Sequence, residues 1–161
     1  YFGNYINYFG FSSSQILKYF QVLNLEEAAF MYKKLIDQAK EAKENAYAPY
    51  SGFRVGAALL DVNHKIYKGC NIENISFGAT CCAERVAIFK AISQGQKDFR
   101  AIAVVSDSQD ITFPCGICRQ VMVEFKIPRV IVGNRHGEYK EYTIKELMPY
   151  AFNNLGCVES K

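Results

Sequence analysis

The chain has 161 residues and a mass of 18.3 kDa, with half its residues hydrophobic and 22% charged. That is the length of one domain with enough apolar material for a full core, which excludes a disordered segment. Nineteen basic against sixteen acidic residues leave a formal charge of +3 with no run of like charges, so nothing offers the basic face that nucleic-acid readers present. The apolar stretches all fall short of the roughly 18 residues of a transmembrane helix, which excludes a helical membrane span.

Residues 1–24 mix Tyr, Phe, Asn and Ser around a single Lys and match no targeting signal, so they read as an N-terminal extension ahead of one domain at 25–152. Asn24 and Glu27 have capping-box spacing, and Ala28, Tyr32, Leu35, Ala39, Ala42 and Ala46 recur at intervals of four and three. This predicts an amphipathic helix that begins at Asn24 and stops before Ala48-Pro49-Tyr50-Ser51-Gly52. Val55 to Asp61 and Ile66 to Cys70 then read as a strand hairpin turning at Asn63 and His64.

A second helix is expected from Ala83 to Gln94, with Val86, Ala87 and Ala91 facing inward and Gly95 as its stop. Ile102 to Ser106 reads as a buried strand, Cys115 to Phe125 as a helix after Pro114, and Arg129 to Gly133 and Glu138 to Tyr142 as further strands. Thr143 and Glu146 repeat the capping-box spacing before a short helix ending near Pro149, and 153–161 read as a loose C-terminal tail. Strands alternating with helices of this length predict an α/β domain, a three-layer α/β/α sandwich around a mixed five-stranded sheet.

Six cysteines occur, at positions 70, 81, 82, 115, 118 and 157. Two are adjacent and two form Cys-x-x-Cys, a poor disulfide framework for so apolar a chain, so they read as thiols in a reducing compartment, the cytoplasm, with some on a metal. Cys82-Ala83-Glu84 and Pro114-Cys115-Gly116-Ile117-Cys118 place three of them at the starts of two predicted helices. Backbone N–H groups and positive dipole ends there lower thiol pKa and favour metal binding.

Cys82, Cys115 and Cys118 can therefore hold one zinc ion. Structural sites close with four protein ligands and catalytic sites leave the fourth position to water. Cys70, Cys81, His64 and His136 are the candidates for a fourth ligand, and none has ligand spacing. An open site needs a proton carrier, and Glu84 lies two residues beyond Cys82; a helix-capping acid is the plainer role for it. Arg85 can donate to the sulfurs and draw off the negative charge of three thiolates; a solvated surface Arg is its plainer role.

These motifs resemble the zinc-dependent nucleoside deaminases of the cytidine and deoxycytidylate deaminase family, in the branch with three cysteine ligands. Four further stretches carry the resemblance: Ala46-Tyr47-Ala48-Pro49-Tyr50-Ser51, Phe53 to Leu60, Gly69-Cys70-Asn71-Ile72-Glu73-Asn74 and Cys115 to Val121. The resemblance implies one Zn2+ per subunit, hydrolytic deamination of cytidine and deoxycytidine, and Glu84 as the proton carrier. It implies that Asn71 and Glu73 bond the ribose hydroxyl, that Phe53 stacks on the base, and that the Ala83 N–H meets the 2-oxo group.

It further implies a homotetramer in which Tyr50 and Phe152 enter neighbouring subunits' sites. Ile75 and Phe77 stand where the family commonly has Ala and Tyr, so one hydroxyl near the nucleoside or the subunit interface is missing. The small-molecule partner expected is a free nucleoside, with no nucleic acid and no membrane. A deaminase of another cytosine compound and a non-catalytic zinc-stabilised module are the competing expectations.

Overall fold

In the computed structural model, which describes the backbone of residues 13–152 and the side chains of residues 26–152, the first element is one unbroken helix, α1 (Ser13–Lys43). It starts eleven residues upstream of the expected cap at Asn24, so that capping-box spacing marks no helix start. No Pro or Gly interrupts Ser13–Lys43, and an interior Asn costs a helix only a few tenths of a kcal/mol. The chain divides into two compact units, 1–33 and 34–161; the described part of the first is helical, and the second holds the sheet. Residues 1–12 of the expected extension, the 153–161 tail and Cys157 lie outside the described residues.

The second unit continues with β1 (Val55–Asp61), β2 (Ile66–Cys70), a short 3-10 turn at Phe77–Ala79, α2 (Ala83–Ser93) and β3 (Phe99–Ser106). It ends with α3 (Gly116–Glu124), β4 (Arg129–Gly133), β5 (Tyr139–Thr143) and α4 (Ile144–Leu147). The hairpin of β1 and β2 has the expected bounds. The buried Asp61 closes its turn by accepting from the N–H groups of Asn63 and Lys65, both at 2.8 Å. β3 begins three residues earlier than expected, because pairing with β1 extends through a bulge at Leu60/Asp61 as far as Phe99.

The sheet has the order β2-β1-β3-β4-β5, with β3 and β4 parallel and every other pair antiparallel, which is the mixed five-stranded arrangement expected. Strands β1, β3 and β4 are buried along nearly their whole length, as strands covered on both faces must be. Ala57, Leu59, Ile102, Val130 and Val132 pack with Ala87, Ile88 and Ala91 of α2 and Met122 of α3. Ile88 takes the inward place expected of Val86, which is only half-buried; positions 84, 87, 88 and 91 are the ones that share a helical face.

Two glycines bring the layers close enough to matter for the site. A methyl group on Gly56 would lie 2.6 Å from the Lys43 backbone N of α1, and one on Gly69 would lie 2.5 Å from the Ala87 backbone N of α2. Cross-strand partners Ala57 and Gly69 share a face, so Gly56 and Gly69 admit helices on opposite faces. The absence of a side chain on Gly69 lets the first turns of α2 lie directly on β2. At its outer end, α4 carries a true capping box: Thr143 accepts from the Glu146 N–H at 3.2 Å, and the Glu146 carboxylate accepts from the Thr143 N–H at 2.7 Å. Among the described residues no helix is long and apolar enough to cross a membrane.

Candidate metal centre and active site

Cys82 is the N-cap of α2 and Cys115 the N-cap of α3, and neither side chain caps its own helix. Both sulfurs are left for other work beside N–H groups that have no intrahelical acceptor. Cys118 is three residues beyond Cys115, one helical turn, and is fully buried. The Sγ atoms of Cys82, Cys115 and Cys118 lie within 4.8 Å of one another, with Cys82 and Cys115 at 3.9 Å. A tetrahedral zinc with Zn–S bonds of about 2.3 Å spaces its sulfurs about 3.8 Å apart, so this set fits zinc. Of the four alternative ligands none joins the group, which among the described residues consists of these three cysteines.

Arg85 lies on the next part of the same turn. Its Nη2 donates to the Thr80 carbonyl at 3.0 Å and to the Cys82 sulfur at 3.6 Å, as expected of a group that tempers thiolate charge. Bonding from the Cys118 thiol, then from Arg85 and Cys115, holds the Cys82 thiol down at about 5. The same proton sharing with Cys82, together with burial, pushes Cys118 up.

Glu84, on the first turn of α2, is 4% exposed. Burial pushes its carboxyl up to about 7 against the opposing effect of its own backbone N–H. A carboxyl so placed takes up and gives back protons near neutrality, and a surface capping residue would not be enclosed in this way. Glu84, Cys82 and Cys115 line a cavity of about 240 Å³ together with Phe53, Asn71 and Glu73.

The family model for the cytidine and deoxycytidylate deaminase zinc-binding region matches residues 31–134. The chain belongs to this family. It is similar to the cytidine deaminase of Sporosarcina psychrophila, at 50% identity over 124 residues that cover 75% of this chain and 90% of that protein. The crystal structure of cytidine deaminase from Burkholderia pseudomallei superposes with a TM-score of 0.71 at 46% identity, covering 74% of this chain and 97% of that one. That of the Mycobacterium tuberculosis cytidine deaminase does so at 0.67 and 34%, covering 76% and 98%.

The deaminase site is assembled from three loops joined by short backbone bridges. Ile72 exchanges both N–H···O bonds with Cys81 at 2.9 Å, Tyr47 donates to the Asn71 carbonyl at 3.0 Å, and Glu73 donates to the Tyr47 carbonyl at 2.8 Å. These bonds set the turn at 47–53, the end of β2 and the start of α2 around one space. Ala83 is buried and lines it from the N-terminal end of α2, where its N–H has no intrahelical acceptor.

Asn71 and Glu73 are at the cavity but also hold the chain. Asn71 bonds the Phe53 carbonyl and the Val55 N–H, and Glu73 bonds the N–H groups of Tyr50 and Ser51. Each keeps some hydrogen-bonding capacity for another partner. Tyr50 and Phe152 are not on the wall of this cavity. The Tyr50 side chain borders a second, more open cavity of about 380 Å³, beside Ser51, Glu73 and Phe77. Phe152 is held through its backbone by Gln120 and the residue is 65% exposed.

Several lining residues have no distinguishing signal in the sequence, among them Thr80, Thr112 and Phe113, and Ser51 stands in a stretch of the resemblance without a role of its own. Thr112 shares a hydroxyl–hydroxyl bond of 2.5 Å with the buried Ser106, and Phe113 packs on Tyr142 with ring centroids 5.4 Å apart. Arg119 was also missed. It binds the Pro114 carbonyl at 2.8 Å and the Leu147 carbonyl at 3.1 Å, so α4 steadies the residue just before Cys115. In the sequence it directly follows the Cys-x-x-Cys, inside the Cys115 to Val121 stretch, with nothing to mark its partners.

Proposed function

We propose that this protein catalyses the hydrolytic deamination of cytidine and deoxycytidine to uridine and deoxyuridine, with release of ammonia. The observation that carries the reading is an enclosed carboxyl, Glu84, lining the same cavity as two cysteines of a zinc-fitting group and as groups suited to a nucleoside. Cys82, Cys115 and Cys118 would hold a zinc ion, which when bound would supply Lewis acidity toward water. Glu84 takes a proton from the attacking water and hands it to N3 as C4 becomes tetrahedral, then takes the remaining proton from the new C4 hydroxyl and gives it to the amine, so that the C4–N bond breaks, ammonia leaves and the 4-oxo group forms.

Phe53 offers a flat face to the pyrimidine, and the Ala83 N–H a donor to the 2-oxo group. Asn71 and Glu73 bind a ribose hydroxyl with the capacity left to them. The described residues lining the two cavities include no Lys, Arg or His, and they include two carboxylates. A phosphate would find like charges and no partner there, which favours the free nucleoside over its monophosphate. Cytidine should lose its characteristic ultraviolet absorbance on addition of zinc-loaded protein, and cytidine monophosphate should be turned over at least about a hundredfold less efficiently. Zinc-loaded protein that leaves cytidine and deoxycytidine intact would exclude the proposal and point to another cytosine compound.

The proposed assembly is a homotetramer whose sites are completed by Tyr50 and Phe152 of neighbouring subunits. Its support is the apolar surface left uncovered: Ile75 and Phe77 are each 80% exposed, Tyr150 96% and Phe152 65%, with Phe77 bordering the second cavity. Sedimentation equilibrium should give four times the 18.3 kDa chain mass. A monomer that is fully active would remove the borrowed residues from the reading.

A further inference from the structure

The Glu73 carboxylate is tied into a continuous run of hydrogen bonds. Its Oε1 accepts from the Ser51 hydroxyl at 2.5 Å, and its Oε2 accepts from the N–H groups of Tyr50 at 2.9 Å and Ser51 at 3.2 Å. The same Ser51 oxygen accepts from the Phe53 N–H at 3.0 Å. The Phe53 carbonyl accepts from Asn71 Nδ2 at 2.9 Å, and Asn71 Oδ1 accepts from the Val55 N–H at 2.8 Å. The run therefore passes from Glu73 through Ser51 and the two peptide groups of Phe53 to Asn71 and the first residue of β1.

Ser51 is the one link in this run that must donate and accept with the same atom. Its single proton goes to Glu73 and a lone pair takes the Phe53 N–H. In the turn that carries it Gly52 sits at φ +67°, and residues 48–52 are fastened by the Gly52 N–H to Ala48 carbonyl bond and by the bonds of Tyr50 and Ser51 to Glu73. Without the hydroxyl, the carboxylate loses a partner that orients Oε1, and the Phe53 peptide is fastened at its carbonyl alone.

We propose that Ser51 is a positioning residue for substrate binding, coupling the orientation of the sugar-facing carboxylate of Glu73 to the placement of the base-facing ring of Phe53. This rests on the deaminase reading above and on its assignments of Glu73 and Phe53. Ser51 has no hydrogen bond to Glu84 or to the three sulfurs, so its removal acts on binding and leaves proton transfer in place. Bonds within such a run strengthen one another, and losing one link weakens both ends.

The test is steady-state turnover of cytidine by the zinc-loaded full chain and by Ser51→Ala and Ser51→Thr. Ser51→Ala should raise KM about tenfold or more, with kcat within about twofold and zinc content unchanged, the scale of losing two hydrogen bonds of which one is to a carboxylate. Ser51→Thr, which keeps the hydroxyl, should return KM to near the parent value. Should the alanine variant not fold, Ser51→Val against Ser51→Thr makes the same comparison between side chains of equal shape.

An unchanged KM in the variants without the hydroxyl would overturn the proposal while leaving the deaminase reading standing. So would a fall in kcat and thermal stability together that Ser51→Thr does not restore, which is what a merely structural role predicts. A parent protein that does not turn over cytidine would overturn the reading on which the proposal rests, and the proposal with it.

Discussion

Glu84→Gln is expected to leave zinc content and fold intact and to lower kcat for cytidine by roughly two to four orders of magnitude, the range that general acid–base groups supply. Gln has the shape of Glu and remains neutral at every pH, so the enclosed position is filled while the proton carrier is gone. Glu84 is not one of the three grouped metal-ligating residues, which is why metal should be retained. A loss of activity accompanied by loss of zinc would mean that Glu84 holds the site together, and turnover within tenfold of the parent would remove it from proton transfer. Metal analysis and turnover on the same preparation separate these results.

Cys118→Ala should abolish stoichiometric zinc binding and turnover together and lower the thermal midpoint by on the order of 10 °C. Cys118 is fully buried between the other sulfurs and the core, so the change removes a ligand and opens a cavity in one step. Two ligands remain, held at helix N-termini that cannot close around an ion with one side of the site missing. Cys70→Ala is the control: Cys70 stands outside the sulfur group, where its thiol donates to the Asn45 carbonyl, and its loss should leave one zinc per chain. Zinc retained by Cys118→Ala, or lost by Cys70→Ala, would show that the ligand set is wrongly drawn.

The hairpin of β1 and β2 and the strand β4 were legible to the residue because apolar runs there end at sharp turn signals. The start of α1 was not, and comparison with α4 explains the difference. Asn24/Glu27 and Thr143/Glu146 have the same spacing, yet only the second pair follows a strand that has to stop. In the first, the preceding residues are themselves able to continue the helix, so an equal local signal carries no boundary. A similar limit applied on α2, where the periodicity was correct and its phase was displaced from Ile88 to Val86.

In the site, the candidate residues were legible and the supporting contacts were not. Three cysteines before or within predicted helix starts and an acid two residues on are local facts, sufficient to point to zinc and to single out a candidate proton carrier. Ser51, Thr80, Thr112 and Arg119 are ordinary residues in ordinary places until the sheet is formed. Their importance lies in hydrogen-bond partners that the chain order does not disclose, such as Ser51 with Glu73 across 22 residues and Arg119 with Leu147 across 28.

By itself the sequence indicated the class of fold, pointed by resemblance to a zinc-dependent deaminase family, and singled out the candidate ligand atoms and acid. The elements and the candidates follow from residue types at short spacing, where covalent connection and helix or strand geometry leave little choice; the family follows from the motifs taken together. The tertiary structure alone decided that Cys82 meets Cys115 and Cys118, that Glu84 is shut away from water, and that Asn71 and Glu73 brace the turn beneath Phe53 as well as facing the cavity. Those outcomes depend on which strands become neighbours and on how closely α2 can lie on Gly69. They are set by packing between segments far apart in the chain, where the free energy of burial and of hydrogen bonding is shared among many residues and written in no single motif.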